Sequence, residues 1–304
     1  MIRCVNNNDV ALAQRMRDRE IMTMREPRSF MRAVSLPELH WVPISYQRSK
    51  TPIQTHYGVF GSGVNAYVLD TGVDITHEMF TGADVRALGF LPNAPANIDG
   101  HGHGTWLCGK IIEKAPQTSV FSLKVLDDNG TSLVANVNNA LSHLISCPEN
   151  KPHIIVLSIK DTERDVRMGK LIWQLSRQGV VVIVGGDGNA FANFDGVLAI
   201  STTDKTRNLL LPSVSEYSTH LALRARGFIG SYLNNTYREL NGATAHMANV
   251  AGILALGISY MKKHGQNEDR LNVLTQVAQN GELDEKSFLA ALAERRSSSL
   301  ASVT

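Results

Sequence analysis

Asn65-Ala66-Tyr67-Val68-Leu69-Asp70-Thr71-Gly72-Val73-Asp74 is the stretch on which the fold turns. Its apolar run carries few polar interruptions, as in a strand buried on both faces of a parallel sheet. The run ends on a carboxylate, Asp70, and a glycine turn follows. An acid leaving the end of a buried strand is poorly solvated and needs a partner. Taken alone, Asp-Thr-Gly suits a capping acid or half of an aspartic dyad. No second Asp-Thr-Gly or Asp-Ser-Gly exists in the chain, so the dyad fails.

Outward from this stretch, similar runs occupy 119–126, 153–159, 179–185 and 196–202. Helical spacing of apolar residues fills the gaps at 104–114, 133–147 and 166–178. A long helix is expected at about 244–263, then shorter ones at 268–279 and 285–296. Strands alternating with helices predict an α/β fold, a doubly wound and mostly parallel sheet with helices on both faces. The most apolar run, 245–261, contains His246 and Asn249 and reads as a buried core helix rather than a membrane span.

The chain has 304 residues and a net charge of +2, which excludes a polyanion binder that works by bulk charge. Nucleic-acid and membrane partners are therefore not expected. Residues 1–40 carry seven arginines against five acids, so they hold the whole excess. This basic arm precedes a single domain at 41–296, and 297–304 reads as a flexible tail. A neutral domain with a basic arm suggests that the arm contacts a partner or a neighbouring subunit. Cys4, Cys108 and Cys147 form no close pair, which excludes a disulfide framework or a Cys-x-x-Cys metal site. The N-terminus lacks the apolar segment of a signal peptide, so an intracellular protein is expected.

Ligands in such sheets gather at the C-terminal ends of strands. Besides Asp70, two clusters fall there. Asp99-Gly100-His101-Gly102-His103-Gly104-Thr105 sets histidines among small residues that open a helix. No third ligand stands at metal spacing, so a general base suits them better. Asn241-Gly242-Ala243-Thr244-Ala245-His246 leads into the apolar helix, where a hydroxyl feels the positive end of the dipole. A helix-capping threonine is the plainer alternative.

Carboxylate, histidine, hydroxyl is the chain order of the subtilisin triad, and here the motifs become specific. VNAYVLDTGVDITHEMF, HGTWLCG, LKVLDDNGTS, GVVVIVGGDGN and NGATAHMANVAG resemble, in order, the subtilase segments bearing the catalytic acid, the base, the cleft strand, the oxyanion donor and the nucleophile. The chain thus resembles the subtilisin-like (peptidase S8) family, most of all its proteinase K branch, over residues 41–282. The resemblance implies an endopeptidase with Asp70 orienting the imidazole, His103 as general base and Thr244 at the nucleophile position. It implies substrate held as an extended strand beside 123–134 and 156–160, with Leu126, Gly130, Ser158 and Ile159 lining the cleft. It implies no required cofactor, although structural calcium is common in such enzymes.

Departures from the family pattern are equally specific. The family's serine is Thr244, whose methyl stiffens the side chain and crowds the attack site. The oxyanion donor falls on Asn189, or on Asp187 or Gly188 under other registers. The glycines of the cleft strand are Lys160 and Asp161, the family's proline is Ala248, and its second motif histidine is Trp106. Residues 1–40 are too short for the family's folded inhibitory propeptide. A pseudoprotease that binds peptides or builds an assembly is therefore the alternative to an active enzyme.

Overall fold

The computed structural model describes residues 30–33, 57–92, 94–146, 150–160, 165–186, 189–203, 219–267, 269–278 and 281–301. Most of the expected arm, the loop residues Asp161, Asp187 and Gly188, and the end of the tail lie outside them.

Seven strands form one parallel sheet. They are β2 (Asn65–Asp70), β3 (Val85–Gly89), β4 (Ser119–Lys124), β6 (Ile154–Leu157), β8 (Val181–Gly185), β9 (Val197–Thr203) and β10 (Thr219–Arg224). Their spatial order is β10-β9-β8-β6-β2-β4-β3, and every neighbouring pair is parallel. After β2 the chain fills one side through β3 and β4. It then crosses back over β2 to place β6 on the other. β2 thus lies at the switch point, where the connections on either side diverge and leave a crevice at the strand ends. Asp70 is its last residue.

Alternate residues of these strands feed two cores, which is why the runs are apolar almost throughout. Val68, Val120, Val156, Ile183 and Ile200 face α1 (His103–Lys114) and the long α4 (Gly242–His264). Leu69, Phe121, Leu157, Val184 and Ala199 face α2 (Val134–Ser146) and α3 (Val166–Arg177). α4 is long and apolar enough to cross a membrane by composition. Yet 89% of its apolar window is buried inside the protein, so it is a core helix. It stops at Gly265, which takes the left-handed conformation and returns its N–H to the last turn.

α5 (Arg270–Val277) and α6 (Glu285–Ala301) close the chain. α6 runs past residue 296 into the segment expected to be a flexible tail. Ser297 and Ser298 turn their hydroxyls back onto the carbonyls of Ala293 and Glu294, which keeps them inside the helix.

Two further sheets were not anticipated. β11 (Phe228–Tyr232) and β12 (Thr236–Leu240) form a hairpin turned by Asn234 and Asn235, both at positive φ. Asparagine tolerates that region better than most residues. The other is a three-stranded sheet in which β1 (Phe30–Ala33) lies between β5 (Thr131–Leu133) and β7 (Ile159–Lys160).

Candidate active site

His103 is the first residue of α1, and its position follows from two glycines. Gly102 caps the helix at φ 89°, a conformation that side chains rarely adopt. A Cβ at Gly104 would stand 2.2 Å from the Gly72 carbonyl oxygen, so only glycine lets the helix start pack on the turn after Asp70. The result is a direct pair. Nδ1 of His103 is 2.8 and 2.9 Å from the two Asp70 carboxylate oxygens, with both side chains buried. Burial lowers the imidazole pKa, but the Asp70 charge and hydrogen bond outweigh it and hold it above its ordinary value. The other nitrogen, Nε2, is buried and has no hydrogen-bond partner among the described residues.

Asp99 stabilises this arrangement, a role the sequence reading missed although it had quoted the residue. Its buried carboxylate accepts from the Thr71 hydroxyl, the N–H groups of His101, Gly102 and Thr105, and the Thr105 hydroxyl. It thereby ties the turn after β2 to the start of α1. An acid just before a Gly-rich helix start is the legible signal for such a cap.

Thr244 is buried in the first turn of α4. The α1–α4 contact fixes where that turn lies. A Cβ at Gly252 would press on the Lys114 side chain at 2.5 Å and approach the Ile111 carbonyl at 3.5 Å. Gly252 follows Thr244 by as many residues as Ile111 follows His103. A Cβ at Gly185, the last residue of β8, would stand 3.8 Å from the sulfur of Met247, three residues beyond Thr244, so α4 begins at the same carboxyl end of the parallel sheet as Asp70 and His103. The dipole of α4 adds positive potential there.

Asn189 is also buried. Its amide donates to the Ile159 carbonyl at 2.9 Å, and its oxygen accepts from the Phe191 N–H at 3.3 Å. One amide hydrogen is therefore committed to β7. Of the expected cleft residues, Ile159 lies in β7 and Ser158 directly precedes it, both buried. Gly130 makes the turn before β5 at φ 71°. Leu126 is wholly buried in the core beneath, and its N–H bonds the Asp70 carbonyl at 3.1 Å.

His101 is half-buried and its ring lies 6.0 Å from that of His103; burial, then the charge of His103, lowers its pKa. Burial drives His246 down to about 4, and its Nε2 meets the Arg224 carbonyl. Cys108 is a buried core residue whose thiol burial pushes far up. Trp106, where the family has histidine, is wholly buried and donates to the Arg238 carbonyl of the hairpin at 2.9 Å. Among the described residues no three His, Cys, Asp or Glu side chains gather in one place. Asp127 is engaged by Asn129 and Thr131 in its turn, and Asp128 by Lys124 and Gly100.

Comparison with known proteins is consistent with this geometry. The model described as the subtilase family matches residues 61–290. A thermostable alkaline protease of Halalkalibacterium halodurans is 29% identical over 71% of this chain and 62% of its own length. Subtilisin Savinase of Lederbergia lenta is 29% identical over 71% of this chain and 83% of its own. Thermitase of Thermoactinomyces vulgaris is 29% identical over 64% of this chain and 76% of its own. The chain thus spans less than two thirds of the alkaline protease.

Proposed function

The chain belongs to the subtilase family, and from that premise we propose that it is an endopeptidase of the serine-protease type with threonine as nucleophile. The observation that carries the reading is the buried Asp70–His103 pair with its outer nitrogen unengaged. Structural economy alone does not explain a buried acid and imidazole whose second nitrogen lacks a partner.

In this reading Thr244 Oγ attacks the substrate carbonyl while His103 Nε2 takes its proton. Asp70 stabilises the imidazolium so formed, and His103 then protonates the leaving amine. Water reverses the sequence on the acyl-enzyme. Asn189 and the N-terminus of α4 supply the oxyanion with a donor and positive potential. Substrate is extended polypeptide, paired with β5 and β7. None of these steps requires a cofactor.

A second reading rests on two specific features, the Thr244 methyl and the bond from the Asn189 amide to Ile159. Both weaken attack and would leave a peptide-binding pseudoprotease. The test is hydrolysis of denatured casein by the parent, Thr244→Ser and His103→Ala. Cleavage by the parent that His103→Ala abolishes supports the enzyme. A parent equal to His103→Ala, with no gain in Thr244→Ser, overturns it.

A further inference from the structure

His153 stands just before β6, at the amino-terminal edge of the sheet, opposite the end that carries Asp70. Its backbone is fixed on both sides. Its N–H donates to the Asn65 carbonyl and its carbonyl accepts from the Val181 N–H, each at 3.0 Å. Its ring meets another nitrogen at each end. The backbone nitrogen of Asn65 lies 3.0 Å from Nδ1, and Nζ of Lys262, near the end of α4, lies 2.7 Å from Nε2.

A backbone N–H can only donate, so Nδ1 is the accepting nitrogen. A neutral imidazole accepts at one nitrogen and carries its hydrogen on the other. Nε2 therefore carries the hydrogen and directs it at Lys262. An ammonium has donors and no lone pair, so it cannot receive that hydrogen. An uncharged amine can. It accepts from Nε2 and still donates to the Gly63 carbonyl, 2.6 Å from Nζ. All three contacts are satisfied together when neutral His153 lies beside neutral Lys262.

The surroundings favour this state. Burial first, then cationic charge at Lys262, Arg270 and Lys151, lowers the His153 pKa to about 4, so the ring is neutral at pH 7. What burial the Lys262 amine has lowers its pKa as well. The charged and titratable groups on the elements around it are Lys151 and His153 ahead of β6, Lys263 and His264 on α4, and Asp269 and Arg270 at the start of α5. Asp269 caps α5 by accepting from the N–H groups of Leu271 and Asn272.

We propose that Lys262 is a carboxylation site, whose uncharged amine takes up carbon dioxide as a carbamate. Nζ attacks the carbon, a C–N bond forms, and one C=O electron pair moves onto oxygen. The nitrogen then releases one proton to water and leaves a carbamate anion. Its remaining hydrogen stays on the Gly63 carbonyl, and the Nε2–H of His153 passes to a carbamate oxygen. Lys262 is exposed, so the gas reaches it. Positive charge at Lys151 and Arg270 favours the anionic product, whereas acylation would give a neutral amide that makes no use of it. The site lies outside the catalytic machinery and does not depend on hydrolysis.

The test equilibrates the full chain with isotopically labelled bicarbonate near neutral pH. Carbamates are then trapped by ethylation with a trialkyloxonium salt and located by mass spectrometry. Lys263 is the internal control, because its Nζ approaches only the Gly58 carbonyl, at 3.4 Å, and nothing there requires an uncharged amine. Each unit by which an amine pKa falls raises its uncharged fraction about ten-fold, so Lys262 should carry at least ~10-fold more label than Lys263. Equal labelling, or none on Lys262, overturns the proposal. His153→Ala removes the hydrogen that calls for an uncharged partner and should lower the Lys262 label at least ~10-fold. An unchanged label in a folded His153→Ala chain also overturns it. The comparison of the two lysines within the parent chain decides the matter if that variant fails to fold.

Discussion

Replacing Asp70 by asparagine probes the pair on which the site depends. The carboxylate has two duties, because Oδ1 accepts from the Thr71 N–H at 2.8 Å while both oxygens face His103 Nδ1. Asparagine must keep its oxygen toward Thr71, since its amide nitrogen there would meet another donor. That nitrogen then faces Nδ1, and the imidazole is pressed into the tautomer protonated at Nε2. A base protonated on its outer nitrogen cannot accept the Thr244 proton, so hydrolysis should fall by about 10⁴-fold. Stability should change with a definite pH signature. Burial opposes the imidazolium, but the Asp70 charge and hydrogen bond prevail, so the folded-state pKa lies above the unfolded value of 6.5. The stabilisation from a raised pKa is fully present below the unfolded value and is lost as pH rises through the folded one. A hydrogen bond to a charged group is worth about 1.5–3 kcal/mol. Asp70→Asn should therefore lose about that much in urea unfolding at pH 5.5, and less at pH 9.5. A loss that is equal at both pH values, or larger at pH 9.5, refutes the argument that Asp70 stabilises the imidazolium.

Thr244→Ser removes the methyl that crowds attack, and initial rates on a peptide amide should rise at least ~10-fold with little change in KM. Asn189→Ala should lower kcat by ~10²–10³ through loss of an oxyanion donor. It should also cost about 1–3 kcal/mol in urea unfolding, because the Phe191 N–H and Ile159 carbonyl lose their partner. Gly104→Ala drives a Cβ to 2.2 Å from the Gly72 carbonyl and should destabilise the fold by at least ~1–3 kcal/mol, read from the urea midpoint. Cys108, buried with its thiol pKa raised, should resist iodoacetamide in the native protein and react once urea unfolds it.

The central strands were legible because a parallel sheet covered on both faces demands apolar residues at every position, and 65–70, 119–124 and 181–185 supply them. β10 and the hairpin were not. Each has an open face or edge, so polar residues such as His220, Arg224 and Arg238 interrupt the run, and periodicity fades. The Asn234-Asn235 pair was the available hairpin signal, since asparagine tolerates positive φ. At the site, Asp70 and His103 stood out because glycine turns and a buried carboxylate are rare together. The five bonds to Asp99 were invisible because they join residues from two separate turns. The strand character of 30–33 could not be read either. Four residues paired between two short strands carry no period of their own.

The groove and the catalytic residues are mechanically one unit. β5 reaches Asp70 through Ser132 and Val125, while β7 reaches Asn189 through the Ile159 carbonyl. Neither strand is long enough to order itself, since two or three residues bring too few backbone bonds to offset their conformational entropy. A third strand between them supplies bonds on both sides at once. It thus orders the acid-bearing half and the oxyanion half together, whichever peptide provides it. Binding energy gained along the backbone, away from the reacting bond, is in this way converted into alignment at the bond itself. A peptide shortened on the β5 side should therefore lose kcat as well as affinity.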